Sequence, residues 1–249
     1  MSDPKVLFIA PWFSEALFAA TLTALDEDPQ PQPQPLFEDM ACAKFADASH
    51  WEEWTLDTEV AAIELVRQRS GAEPLHLVGY SGGGAAALAH AVAHPDLVAS
   101  LCLIEPPWIG NDIWSEEQRA FHEAYERLAN VPSEHAWDKI AAMLNAPTTA
   151  VPPAPPVPPD RIKSSFVEVW RGYRAAPLDR GRLREIQAPV YLPVGQGSSP
   201  RMHAQAELLA SCFPSAEAQV YERASHFDLP TVGARQLAEG LVRLWRRSS

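Results

Sequence analysis

A chain of 249 residues, 47% hydrophobic and 21% charged, can bury a full core, which excludes disorder as its main state. Lys and Arg total 20 against 32 Asp and Glu, and the formal charge of −12 repels nucleic-acid phosphates and anionic membranes, so neither is an expected partner. No apolar run reaches the roughly 18 residues of a bilayer span, and the start, Met1 to Lys5, leads only into a short apolar stretch, so a cytoplasmic protein is expected. Cys42, Cys102 and Cys212 lie far apart, without C-x-x-C spacing or an even count, and read as free thiols in a reducing compartment. No metal and no cofactor is expected.

The first element is a strand over residues 5–10, where Val6, Leu7, Phe8, Ile9 and Ala10 run unbroken to Pro11, as a strand buried on both faces does before a loop. A helix is predicted next, with Ser14 as its N-cap and Leu17, Phe18, Leu22 and Leu25 in the following turns. Pro29, Pro31, Pro33 and Pro35 lack backbone donors and predict an extended surface loop. A short strand over 36–41 follows, then a helix over 55–69 stopped by Ser70-Gly71. Residues 75–79 read as strand, 82–94 as an alanine-rich helix ended by Pro95, and 98–104 as a fully apolar strand, an order that requires a right-handed parallel crossover. The pattern returns with a strand over 190–194, a helix over 201–212, a strand over 218–221 and a closing helix over 231–247. The predicted class is α/β, with a doubly wound, mostly parallel sheet.

Residues 106–185 are too long for a simple crossover and read as a helical cap inserted into a core made of 1–105 and 186–249. They carry Trp108, Trp114, Phe121, Tyr125, Trp137, Phe166, Trp170 and Tyr173, with helices predicted over 115–129 and 133–144. Aromatics at helical spacing serve equally to fix such a cap to the sheet and to line a pocket beneath it. Seven prolines within 147–159 predict a stiff, polyproline-like spacer in preference to a ligand for an SH3-type partner.

The chemistry is concentrated at strand ends. Gly79-Tyr80-Ser81-Gly82-Gly83 fits G-x-S-x-G where a strand gives way to a helix. A side chain at 79 or 83 would strike the neighbouring strand or helix, and the tight turn holds Ser81 in a strained conformation that presents its hydroxyl. The N–H of Gly82, at the helix N-terminus, faces charge developing on a substrate oxygen.

On these residues the chain resembles the α/β-hydrolase superfamily. The resemblance places the first strand at that family's third, so that the usual first hairpin is absent and six strands remain in the order 4-3-5-6-7-8. It implies Ser81 as nucleophile and His226, between the last strand and the last helix, as its base. His76 lies in a strand, His90 and His94 on the elbow helix, His122 and His135 on cap helices, and His50 beside Trp51 and Trp54, all with structural readings.

The acid that usually follows the family's seventh strand has no counterpart in Gly195-Gln196-Gly197-Ser198-Ser199-Pro200. Glu105 instead ends the strand before it, where some haloalkane dehalogenases and the zearalenone-type lactonases carry theirs, and is the expected third member. Without it Ser81 and His226 would form a dyad. Asp228 is expected to point elsewhere. In place of the His-Gly common after the third strand stands Ala10-Pro11-Trp12-Phe13; Pro11 cannot donate, so Trp12 N–H, ahead of Phe13 N–H, is the predicted partner of Gly82 in an oxyanion hole. Phe13, Tyr80, Trp108, Trp137 and Phe227 are the side chains expected to touch substrate. The aspartate-nucleophile branches, haloalkane dehalogenases and epoxide hydrolases, are excluded by the serine.

The expected function is a serine hydrolase, monomeric or homodimeric, cleaving a carboxylic ester, lactone or thioester of an apolar small molecule. Two alternatives stand beside it: an acyltransferase, cyclase or C–C bond hydrolase on the same fold, and a non-catalytic ligand-binding module.

Overall fold

The computed structural model describes residues 4–41, 54–72 and 74–248, and Cys42, His50 and Trp51 lie outside the described residues. Strands β1 (Lys5–Ala10), β2 (Gln34–Asp39), β3 (Leu75–Tyr80), β4 (Val98–Ile104), β5 (Val190–Gly195) and β6 (Ala216–Tyr221) form one parallel sheet in the order β2-β1-β3-β4-β5-β6. This is the doubly wound α/β class read from the sequence, in the strand order that the resemblance implies. The unbroken apolar runs have a simple cause, since alternate residues of a strand point to opposite faces and both faces are covered. Leu7, Ile9, Leu77, Leu101 and Leu192 pack with helices α2 (Leu56–Ser70), α3 (Gly82–Ala93) and α7 (Pro200–Cys212). Val6, Phe8, Val78, Cys102 and Tyr191 pack with α1 (Ser14–Asp26) and α9 (Ala234–Arg246). Cys102 is therefore buried, which pushes its thiol well above the usual range, while Cys212 is half-buried; both are free.

Between β4 and β5 come α4 (Glu116–Leu128), α5 (Ser133–Leu144) and α6 (Pro159–Ala175). Helix α6 is missing from the sequence reading, although Phe166, Val169, Trp170 and Tyr173 repeat at helical spacing and Pro159 suits a first helical turn. Trp170 stacks on Tyr125 of α4 at 4.4 Å between ring centroids and meets Phe121 edge-on. The proline-rich stretch before α6 is tied down by Trp137, whose Nε1–H donates to Pro152 O at 2.7 Å. No helix among the described residues is long and apolar enough to cross a membrane.

Three further elements differ from expectation. β2 starts at Gln34, inside the proline run: Gln34 N–H donates to Pro4 O on the β1 side, so Pro35 turns its donorless nitrogen to the open edge of the sheet. Ser14 is the first residue of α1 and not its cap; Phe13 caps in the left-handed conformation, and Asp39 Oδ1, at the end of β2, takes the Ser14 N–H at 2.7 Å. The closing helix is broken into α8 (Leu229–Val232) and α9 at Gly233, where a Cβ would fall 2.7 Å from Leu229 O.

Two histidines inside this core make stability depend on pH. His76 of β3, bonded through Nδ1 to Ser100 Oγ at 2.8 Å, and His90 of α3, 3.8 Å from Glu64 Oε2, are both lowered by burial to about 4. The unfolded chain takes up these protons first, so stability is complete above pH 6.5 and declines towards pH 4, by up to about 1.4 kcal/mol per pH unit for each histidine. Urea midpoints at pH 7 and pH 5 check this: the midpoint drops at pH 5, and the drop shrinks in H90Q.

Candidate active site

Ser81 stands at the β3–α3 turn with φ 51° and ψ −123°, and only backbone holds it there: its N–H donates to Ile104 O at 2.8 Å, and its carbonyl accepts from Gly84 N–H at 2.8 Å. The neighbouring glycines are sterically required. A Cβ on Gly79 would lie 2.6 Å from Gly84 Cα of the helix, and one on Gly83 would lie 2.5 Å from the carbonyl carbon of Ile9 in β1. Because the obstacle is backbone, Gly83→Ala is expected to destabilise the fold by about 3 kcal/mol or more; soluble yield and urea unfolding test it, and a wild-type midpoint would show that the elbow has slack.

The loop after β6 brings His226, 1% exposed, to the same rim. Its Nε2 is 3.1 Å from Ser81 Oγ, and its Nδ1 is 2.7 Å from Glu105 Oε2. Tyr80 holds the imidazole twice, by donating its phenol to His226 O at 2.7 Å and by stacking on the ring at 5.4 Å. Asp228 turns back into its own loop, where Oδ1 accepts from Ser225 N–H and Oγ–H.

Glu105 is 3% exposed and has φ 46°. Its Oε1 accepts from the N–H of Gly195 at 2.7 Å, so the carboxylate from β4 reaches the end of β5, where the loop has no acid of its own. Phe13, Ser81 and Glu105 are three of the four non-glycine residues with positive φ among the described residues, which gathers backbone strain at this rim.

Beside Ser81 opens a narrow apolar cavity. Pro11, Trp12, Met40, Ser81, Gly82, Tyr125, Phe166, Val169 and Tyr173 are among the residues that line it, and no charged side chain does. The first-turn N–H of Gly82 has no carbonyl partner within α3, and Pro11-Trp12 runs alongside it.

Of the five side chains expected to touch substrate, none lines this cavity. Phe13 is 61% exposed, because its left-handed backbone swings it into an outer groove with Glu15 and Phe37. Tyr80 is engaged with His226 as described. Trp108 is buried behind Tyr173, stacked on it at 5.7 Å, with Nε1–H given to Asn111. Trp137 and Phe227 pack on each other at 5.0 Å. The residues found in their place, Met40, Tyr125, Phe166, Val169 and Tyr173, carry no local mark that separates a cavity wall from core.

The family profile for the alpha/beta hydrolase fold matches residues 29–231, and the chain belongs to this family. Its solved relatives include the enol-lactonase from Burkholderia xenovorans LB400, with a TM-score of 0.69, 17% identity and coverage of 98% of this chain and 92% of that one. MenH from S. aureus superposes with a TM-score of 0.71 at 14% identity, over 100% and 96% of the two chains. In sequence, 53 residues are 43% identical to the lipase LipV of Mycobacterium tuberculosis, a match covering 21% of this chain and 20% of that protein.

Proposed function

We propose that the protein is a serine hydrolase that cleaves a carboxylic ester, lactone or thioester of an apolar small molecule through an acyl-enzyme. The observation that carries this reading is the unbroken chain from Ser81 Oγ through His226 to Glu105, ending beside an uncharged cavity. Ser81 Oγ attacks the carbonyl carbon while His226 Nε2 takes its proton, and Glu105 stabilises the imidazolium that results. The N–H groups of Trp12 and Gly82 receive the charge that appears on the carbonyl oxygen. His226 then protonates the departing alcohol or thiol, and water, deprotonated by the same imidazole, releases the acyl group from Ser81. The helices between β4 and β5 act as the cap, with Phe166, Val169 and Tyr173 of α6 forming its wall over the acyl group.

The test is labelling of Ser81 by a fluorophosphonate, followed by turnover of p-nitrophenyl esters and aromatic lactones. Folded protein that neither labels nor turns over any of these would return the fold to a non-catalytic binding role. Faster acyl release to an added alcohol or amine than to water would reassign it to acyl transfer.

Tyr80 serves this chemistry from behind the imidazole. Tyr80→Phe keeps the stacked ring and leaves His226 O without its donor, so kcat should fall about tenfold with KM unchanged; an unchanged kcat would mean that the loop holds the imidazole unaided.

A further inference from the structure

Helix α7 opens with Pro200-Arg201, and Arg201 is only 3% exposed. Its guanidinium donates to Pro107 O at 3.2 Å, to Gln205 Oε1 at 2.6 Å and to Met202 Sδ at 3.3 Å, and lies 3.3 Å from the centroid of the Phe121 ring. None of these partners is a carboxylate. A cation in the first turn of a helix faces the positive end of the helix dipole, and burial has removed its hydration. A neutral side chain could make the same polar contacts without either cost, so the charge itself requires an account.

The nearby opposite charge is Glu105. Burial lowers the guanidinium to about 9, while the Glu105 carboxylate pushes it back up, and it stays charged at neutral pH. Gln205, one turn further along α7, donates through Nε2 to Pro106 O and shares a small internal cavity with Glu105. Arg201 and Gln205 thus grip the two carbonyls that directly follow Glu105, the residue whose backbone is strained.

We propose that Arg201, braced by Gln205, is a positioning residue for Glu105: its charge opposes that of the carboxylate in a dry interior, and the grip on Pro106 and Pro107 keeps the strained backbone from relaxing away from His226. This rests on the roles given to Ser81, His226 and Glu105 above. The other ionisable groups facing the site are Tyr80 of β3, His122 and Tyr125 of α4, and Asp228 beyond β6. Burial raises both phenols and lowers His122, which keeps these three uncharged near neutral pH, while Asp228 is bonded to Ser225.

The experiment is the pH dependence of fluorophosphonate labelling in wild type, R201M, R201Q, R201K and Q205M, with a thermal melt of each. R201M and R201Q should label about tenfold more slowly, and the acid limb of the rate should move up, because the positive charge that opposes protonation around Glu105 is gone. R201K retains the charge without the planar fork, so its limb should stay in place while labelling slows. Q205M should slow labelling with its limb unmoved. A folded neutral variant with the wild-type limb overturns the proposal, and so does a displaced limb in R201K should neither neutral variant fold. Failure of the wild type itself to label would instead defeat the functional reading.

Discussion

Ser81→Ala is expected to lower turnover by about 10⁵-fold or more, with the fold intact. The side chain makes one polar contact, the 3.1 Å approach of Oγ to His226 Nε2, whereas the bonds that hold residue 81 in its strained conformation come from its own N–H and carbonyl. Alanine therefore inherits the elbow and loses only the proposed nucleophile. The N–H groups of Trp12 and Gly82, proposed to receive the oxyanion, stay in place, so a small rate above the uncatalysed one should persist and substrate should still bind. Steady-state rates, mass spectrometry of the acylated protein and a thermal melt read the three parts of this expectation separately. An alanine variant retaining more than about a hundredth of the wild-type rate would place the chemistry on another residue.

Glu105→Gln should cost about 10³- to 10⁴-fold in kcat while leaving the melting temperature within a few degrees. The size follows from the two partners of the carboxylate. Gly195 N–H donates to Oε1, so the oxygen of a glutamine amide is drawn to that position, and its NH₂ is left facing His226 Nδ1. Nδ1 must then accept, which puts the ring proton on Nε2, the atom proposed to take the proton from Ser81. The substitution thus installs the wrong tautomer with almost no change in shape. Near-normal rates for this variant would remove Glu105 from the machinery and leave a dyad of Ser81 and His226.

Much of the candidate site was legible along the chain, for reasons that differ from residue to residue. The elbow could be read because its requirement is local: glycines two residues either side of a serine, between a strand and a helix, answer a clash that the structure locates at Ile9 and Gly84. Glu105 could be singled out because a charge ending an apolar strand is conspicuous. Helix α6 escaped because its first turn follows a proline tract that masks its start, and the cavity wall escaped because Phe166 and Trp170, four residues apart on one helix, look alike in sequence although only Phe166 lines the cavity. The start of α1 is not legible locally because the acceptor of the Ser14 N–H, Asp39, comes from the end of β2.

By itself the sequence determined the parallel sheet, its crossovers and the chemical types present at its strand ends, since periodicity, turn residues and unbroken apolar runs act over a few neighbouring positions. Only the tertiary structure decided that residues 81, 105 and 226 meet in hydrogen-bond reach, that the Tyr80 phenol is bonded to the backbone of His226, and that a buried guanidinium and its neighbouring amide hold the two carbonyls after Glu105. The physical reason is that these outcomes depend on how elements far apart in the chain pack and on what each charge meets once water is excluded, and neither is encoded at a single position.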